Sequence, residues 1–142
     1  MKVSARNVFK GTVDAVQPGV VNAEVDIALG GGDKLVAVVT MESVKNLELA
    51  AGRAVVALVK APWVMLMTDS GGLRLSARNC LHGTVKSVAP GAVNAEVTLV
   101  LAGGTEVAAV VTREAVAELG LKPGVAASAV IKASHVIVAV PA

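Results

Sequence analysis

Ser4-Ala5-Arg6-Asn7, followed by Gly11-Thr12-Val13 and by Val21-Asn22-Ala23-Glu24-Val25, is the stretch that decides how this chain is read, because it occurs twice. Ser76-Ala77-Arg78-Asn79 leads in the same way to Gly83-Thr84-Val85 and Val93-Asn94-Ala95-Glu96-Val97, always 72 residues later. The register holds to the C-terminus without an insertion: Thr40 falls on Thr112, Gly52 on Gly124 and Lys60 on Lys132. Roughly half of the aligned positions are identical, as expected of a tandem duplication. The unit to be explained is therefore about seventy residues long and used in tandem. Residues 1–70 form the first domain, 71–72 the linker and 73–142 the second domain.

Working outward, Met1 to Val16 reads as a long strand, bent at Gly11. Gln17-Pro18-Gly19 is a turn. Val20 to Leu29 is a half-buried strand, with Val21, Ala23, Val25 and Ile27 on one face and Asn22, Glu24 and Asp26 on the other. Gly30-Gly31-Gly32-Asp33 closes a hairpin onto a strand from Lys34 to Val39. Thr40 caps a short helix with Glu42 in its first turn and Val44 and Leu47 on its buried stripe. The second copy repeats this with Thr112, Glu114, Val116 and Leu119, and Gly120 stops the helix. Arg53 to Ala61 is a fourth strand, Pro62 breaks it, and Val64 to Thr68 is a fifth. Strand, strand, strand, short helix, strand, strand is the order of a five-stranded Greek-key barrel of the OB type. The expected class is thus mainly all-β: two tandem OB-like barrels, each with one short helix.

Composition fits that class. Hydrophobic residues make up 54% of the 142, yet Phe9 and Trp63 are the only aromatics, so the core must be Val, Ala, Leu and Ile. Each copy is near the lower size limit for an independent core, and charged residues are only 17%. Both facts point to apolar surface buried between copies or between subunits. A formal charge of +2 is too small for a nucleic-acid tail or a membrane patch. The lone Cys80 aligns with Val8 and reads as a small apolar strand residue. The N-terminus lacks an apolar signal core. The apolar stretch Ala54 to Met67, broken by Lys60 and Pro62, is too short to span a bilayer. The expected location is the cytoplasm.

Enzymatic signatures are missing. His82 and His135 align with Lys10 and Trp63, so neither belongs to a repeated site, and both read as surface or edge-strand histidines. There is no nucleophile elbow, Walker loop or HExxH. Gly30-Gly31-Gly32 lies between strands, not before a helix, and reads as a hairpin rather than a phosphate loop. What both copies share is a set of donors suited to anions. These are Ser4, Arg6, Asn7, Thr40 and Lys60 in the first, and Ser76, Arg78, Asn79, Thr112 and Lys132 in the second. An arginine fork, a lysine point charge and hydroxyls suit a tetrahedral oxyanion. Ordinary strand-face charges and helix caps account for the same residues equally well. Lys60 and Lys132 tip the balance, each being the only charge in an apolar strand, where it needs a counter-charge or a route to solvent.

The run Ser-Ala-Arg-Asn, Gly-Thr-Val, Val-Asn-Ala-Glu-Val, Val-Thr-x-Glu-x-Val, Ile-Lys-Ala-Ser resembles the Mop domain of the molbindins, which bind molybdate and tungstate, over essentially the whole of both copies. The resemblance implies OB-like barrels that exchange a strand between subunits, assembly as a trimer, and oxyanion sites at subunit interfaces, with no organic cofactor and no side chain bonded directly to the metal. One class of site would combine Ser4, Ala5, Arg6, Thr40, Ser43, Lys60 and Ala61, or Ser76, Ala77, Arg78, Thr112, Lys132 and Ala133, the Ser-Ala-Arg segment coming from one subunit and the Thr and Lys segments from another. A second class, near the threefold axis, would use Gly19, Val20, Val21 and Asn22, and Gly91, Ala92, Val93 and Asn94. Ser43 aligns with Ala115, so the two copies are expected to bind unequally. The implied function is storage or buffering of molybdate or tungstate. A molybdate-responsive module acting on a separate protein is the alternative. A nucleic-acid-binding OB module is disfavoured, because such modules stack bases on aromatic platforms that this chain lacks.

Overall fold

The computed structural model describes residues 1–142 as two five-stranded antiparallel sheets and two short helices. The first repeat contributes β1 (Asn7–Pro18), β2 (Asn22–Gly30), β3 (Asp33–Thr40), α1 (Met41–Asn46), β4 (Ala54–Val59) and β5 (Met65–Met67). The second contributes β6 (Asn79–Pro90), β7 (Asn94–Leu101), β8 (Glu106–Thr112), α2 (Arg113–Leu119), β9 (Ala126–Ile131) and β10 (Ile137–Ala139). A 3-10 turn, Ala61–Trp63 or Ala133–His135, separates the last two strands of each repeat. The mainly β, OB-like class read from the sequence is what is found.

Neither sheet is made by one repeat. The strand order is β10-β4-β1-β2-β3 in one sheet and β5-β9-β6-β7-β8 in the other. Each repeat thus hands its fifth strand to its partner: Leu66 pairs with Ala129, and Val138 with Ala57. The sequence reading placed such an exchange between subunits; here it links the two repeats of one chain. The physical reason lies at the 3-10 turns. At each turn the chain leaves β4 or β9 and crosses onto the other barrel; in the first copy Pro62, which has no N–H, also cannot continue a ladder, while the second copy turns at the same place without a proline. A shared core follows from this swap: 23 buried apolar residues form a single cluster drawn from both repeats.

Local expectations hold at most elements. Ala23, Val25 and Ile27 are buried, while Asn22, Glu24 and Asp26 face outward. Thr40 and Thr112 cap their helices by accepting from the Ser43 and Ala115 amides, and Gly120 takes the left-handed conformation that ends α2. Four expectations fail. Gln17 and Pro18 belong to β1, paired with Glu24 and Ala23, rather than to a turn. Met1 to Arg6 is irregular, because β4 ends at Val59 opposite Asn7 and leaves earlier residues no partner. Val21 is not on the buried face but exposed in the loop. The irregularity of β1 falls at Asp14, between Val13 and Ala15, not at Gly11. Gly11 is needed for a close crossing instead: a Cβ there would lie 2.6 Å from the Ala28 carbonyl oxygen.

Candidate oxyanion site between the repeats

Asn79 begins β6 opposite Ile131, the last residue of β9. The segments just beyond the ladder, Ser76–Arg78 and Lys132–Ser134, therefore leave the sheet side by side. They line an open pocket of about 460 Å³ together with Met65 from β5 and Val38 from β3. A neighbouring cavity of about 320 Å³ shares Val38 and Ser134 and is lined by Asn22, Thr40 and Ser43. The second repeat's arginine and lysine thus stand next to the first repeat's hydroxyls within one chain. The sequence reading divided these groups between subunits. The strand swap supplies the reason for the difference, since it carries Lys132–Ser134 onto β3 of the first barrel.

The first repeat's segments start from the same geometry, with Asn7 opposite Val59 and Lys60 next along. Ser4, Ala5 and Arg6 precede that pair, and Ala61 is buried at the start of its turn, as Ala133 is in the other copy. The Ala61–Trp63 turn packs against β8, which ends at Thr112. The backbone N–H groups of Ser4–Arg6 and of Ser76–Arg78 make no backbone hydrogen bond, so both segments present free donors. Such consecutive amides beside cationic side chains favour an anion.

The polar groups are not all free. Arg78 Nε donates to Glu24 Oε1 at 2.6 Å, and Arg6 makes a two-pronged pair with Glu96, Nη2 to Oε1 at 3.0 Å and Nη2 to Oε2 at 3.1 Å. Lys60 and Lys132 have no carboxylate partner; they reach solvent, with Lys60 Nζ 5.5 Å from the centre of the Trp63 ring. Thr40 donates its hydroxyl to Ser43 Oγ at 2.9 Å, which leaves the Ser43 hydroxyl proton unused. Thr112 has no such acceptor at Ala115 and keeps its own proton.

Asn7 and Asn79 leave the donor set. Asn79 Nδ2 donates to the Val36 carbonyl and its Oδ1 accepts from the Val36 N–H, both at 2.8 Å; Asn7 does the same at Ala108, at 2.8 and 2.7 Å. Each amide, 2% exposed, fastens the edge strand of the other barrel. The sequence reading missed Glu24 and Glu96 as arginine partners, and Ser134, Met65 and Val38 as pocket lining. The identity of Glu24 and Glu96 across the repeat was the available signal for the first, and the Ile-Lys-Ala-Ser run that ends at Ser134 was a signal for that residue; Met65 and Val38 depend on the swap and had none.

The loops Gly19–Asn22 and Gly91–Asn94 lie elsewhere, at the β1–β2 and β6–β7 turns. Gly19 donates to the Asn22 carbonyl at 2.9 Å and Gly91 to Asn94 at 2.7 Å. Val20 is 97% exposed, and Val21, Ala92 and Val93 are exposed too. Only Asn22 of this group lines the Thr40 cavity. His82 is exposed on β6, in keeping with a surface histidine, with Nδ1 2.6 Å from Ser128 Oγ; His135 is half-buried and packs at a tilt against Trp63, ring centres 5.0 Å apart. No three His, Cys, Asp or Glu side chains cluster as a metal site, and no helix is long and apolar enough to cross a membrane.

Two barrels completed by exchanged strands set cations and free amides of one repeat beside hydroxyls of the other, an arrangement of a tandem-repeat protein suited to a small anion. The TOBE domain model matches residues 3–66 and 75–138, and the chain belongs to the TOBE domain family. It is 50% identical over 140 residues to "Molybdenum transport protein ModE" of Azotobacter vinelandii and 45% identical over 141 residues to "Molybdenum-pterin-binding protein MopA" of Rhodobacter capsulatus. Each match takes in 99% of this chain, but the chain spans about half the length of these relatives, 52% and 53%. A solved structure of the cytoplasmic molybdate-binding protein ModG, with molybdate bound, is 74% identical, covers 99% of this chain and 100% of its own, and superposes with a TM-score of 0.95.

Proposed function

We propose that this chain binds molybdate, and tungstate with it, in the cytoplasm and holds it as a store or buffer, acting by binding rather than by catalysis. The observation that carries this reading is the pocket in which Arg78, Lys132 and the free amides of Ser76–Arg78 stand next to the Thr40 and Ser43 hydroxyls. The 74% identity to a protein described as molybdate-binding and cytoplasmic supports the choice of anion and place. Ser4, Ala5, Arg6, Lys60, Ala61 and Thr112 form the equivalent site, and Ala77 and Ala133 serve through their backbone. Assembly is as a homotrimer, which covers the exposed Val20, Val21 and Val93 and creates the second class of site at Gly19–Asn22 and Gly91–Asn94. Selection against the smaller sulfate rests on the spacing of donors fixed by the barrels.

Calorimetric titration of anion-stripped protein of known oligomeric mass tests this, with sulfate and phosphate as controls. Molybdate saturates the protein and sulfate binds far more weakly. Arg78→Ala and Lys132→Ala each weaken their site by about 10- to 100-fold, the loss of one charge-assisted hydrogen-bonding group. No heat with molybdate in any oligomeric state sinks the oxyanion reading.

A further inference from the structure

We propose that Glu24 and Glu96 are built-in counter-charges that hold down the affinity of the two arginine–lysine sites and so keep the bound anion exchangeable. The inference rests on the oxyanion reading above and names the residues that set its strength. Glu24 stands opposite Val38 in the β2–β3 register, so its side chain shares the outer face of that hairpin with a residue lining the pocket. Its carboxylate takes the Nε–H of Arg78, the arginine that lines the same pocket. Glu96 takes both Nε–H and Nη2–H of Arg6 at 3.0–3.3 Å. The carboxylates are the less exposed members of these pairs, at 20% and 30% against 60% and 63% for the arginines. The glutamates are thus the fixed partners.

Two effects compete. A carboxylate that holds the guanidinium in place favours binding by orienting it; a carboxylate one guanidinium away from the anion opposes binding by repulsion and by occupying N–H donors. An ion pair whose arginine is mostly in solvent does little to fix that side chain. The repulsion acts on a doubly charged ligand with twice the strength it has on a singly charged one. Repulsion therefore dominates. With Arg78, Lys132 and Glu24 together the site carries a net single positive charge against a dianion; without Glu24 it carries two. Lys60 and Lys132, which have no carboxylate partner, supply the uncompensated attraction.

The test compares molybdate with perrhenate, a tetrahedral oxyanion of similar size and single charge, by calorimetry on the full chain. Glu24→Gln and Glu96→Gln keep the side-chain shape and an acceptor oxygen for the arginine. Combined, they tighten molybdate about tenfold and perrhenate about threefold, because the charge term doubles for the dianion. Glu24→Asp, which keeps the charge, retains the wild-type ratio of the two affinities. Unchanged or weaker molybdate binding by the glutamine variants, with wild type binding normally, overturns the proposal and makes the glutamates orienting groups. Equal gains for both anions also overturn it, since that pattern reports a loosened pocket rather than a removed charge. Absence of binding by every form, wild type included, removes the oxyanion reading itself.

Discussion

The contacts between the repeats fall into two sets, and the sets differ in how faithfully the duplication has been kept. Off the pseudo-twofold axis, each contact is made twice by equivalent residues: Asn7 with Ala108 and Asn79 with Val36, Arg6 with Glu96 and Arg78 with Glu24. There the asparagines, arginines and glutamates are identical in both copies. On the axis, a residue meets its own equivalent 72 positions away, and there the copies diverge: Trp63 packs against His135, and Asp33 is bonded to Thr105. A symmetric dimer of one repeat would oppose identical side chains at its axis, for instance two aspartates. Fusion into one chain lifts that restriction. Asp33 uses the freedom, accepting from the Gly103 and Thr105 amides at 2.9 and 3.1 Å, bonds a second aspartate would oppose by its charge. Gly31 and Gly103 stay identical for a steric reason: a Cβ on Gly103 would lie 2.6 Å from the Gly31 carbonyl oxygen.

The largest effect is expected off the axis. Asn79→Ala strips both partners from the Val36 backbone, and Asn7→Ala does so at Ala108. Each substitution costs about 2–4 kcal/mol, two net hydrogen bonds plus the penalty for buried groups left unpaired. Urea unfolding of the two single variants and the double variant checks this. Equal single losses sharpen the comparison. A loss at only one site breaks it, because the two clasps would then not be equivalent.

On the axis, acid is the probe. Burial alone raises the Asp33 pKa, but the bonds from the Thr105 hydroxyl and from the Gly103 and Thr105 amides outweigh it and hold the carboxyl below its ordinary value. The stabilisation is therefore complete above the unfolded-state value, about 3.9, and is lost as the pH falls through the lower folded value. Asp33→Asn is less stable than wild type at about pH 7, and the gap closes below about pH 4. Denaturant titrations across that range measure it. A gap independent of pH means that shape, not charge, made the axis contact.

The pattern also explains what was legible in the sequence. The repeat, the strand order, both threonine caps and the Gly120 stop depend on residues near in sequence, and all were readable. Which barrel receives Met65–Met67 was not, because β4 and β9 are equally apolar strands and either can pair with it. That one choice brings Lys132–Ser134 to β3, so the composition of the site inherited the same uncertainty. Asn7 and Asn79 were grouped with the anion donors because an amide offers the same N–H to an anion as to a carbonyl. Only their burial against the other barrel's edge separates the two roles.

The smallest effect is expected at the one site position where the copies differ in hydroxyl count. Ser43 aligns with Ala115, and counting side chains predicts a weaker second site. Counting protons does not. In the first copy Thr40 gives its proton to Ser43, and Ser43 is left with one to donate. In the second, Thr112 accepts only the Ala115 amide and still has its own. Each site therefore presents one free hydroxyl donor, displaced by the length of one side chain. Ser43→Ala releases the Thr40 proton and recreates the Thr112 arrangement, so molybdate affinity at that site changes by less than about threefold, no more than the low end of one neutral hydrogen bond. A loss of tenfold or more in a calorimetric titration would show that the anion is read by the position of Ser43 Oγ, and that the two sites are unequal by design of their caps rather than of their lysine turns.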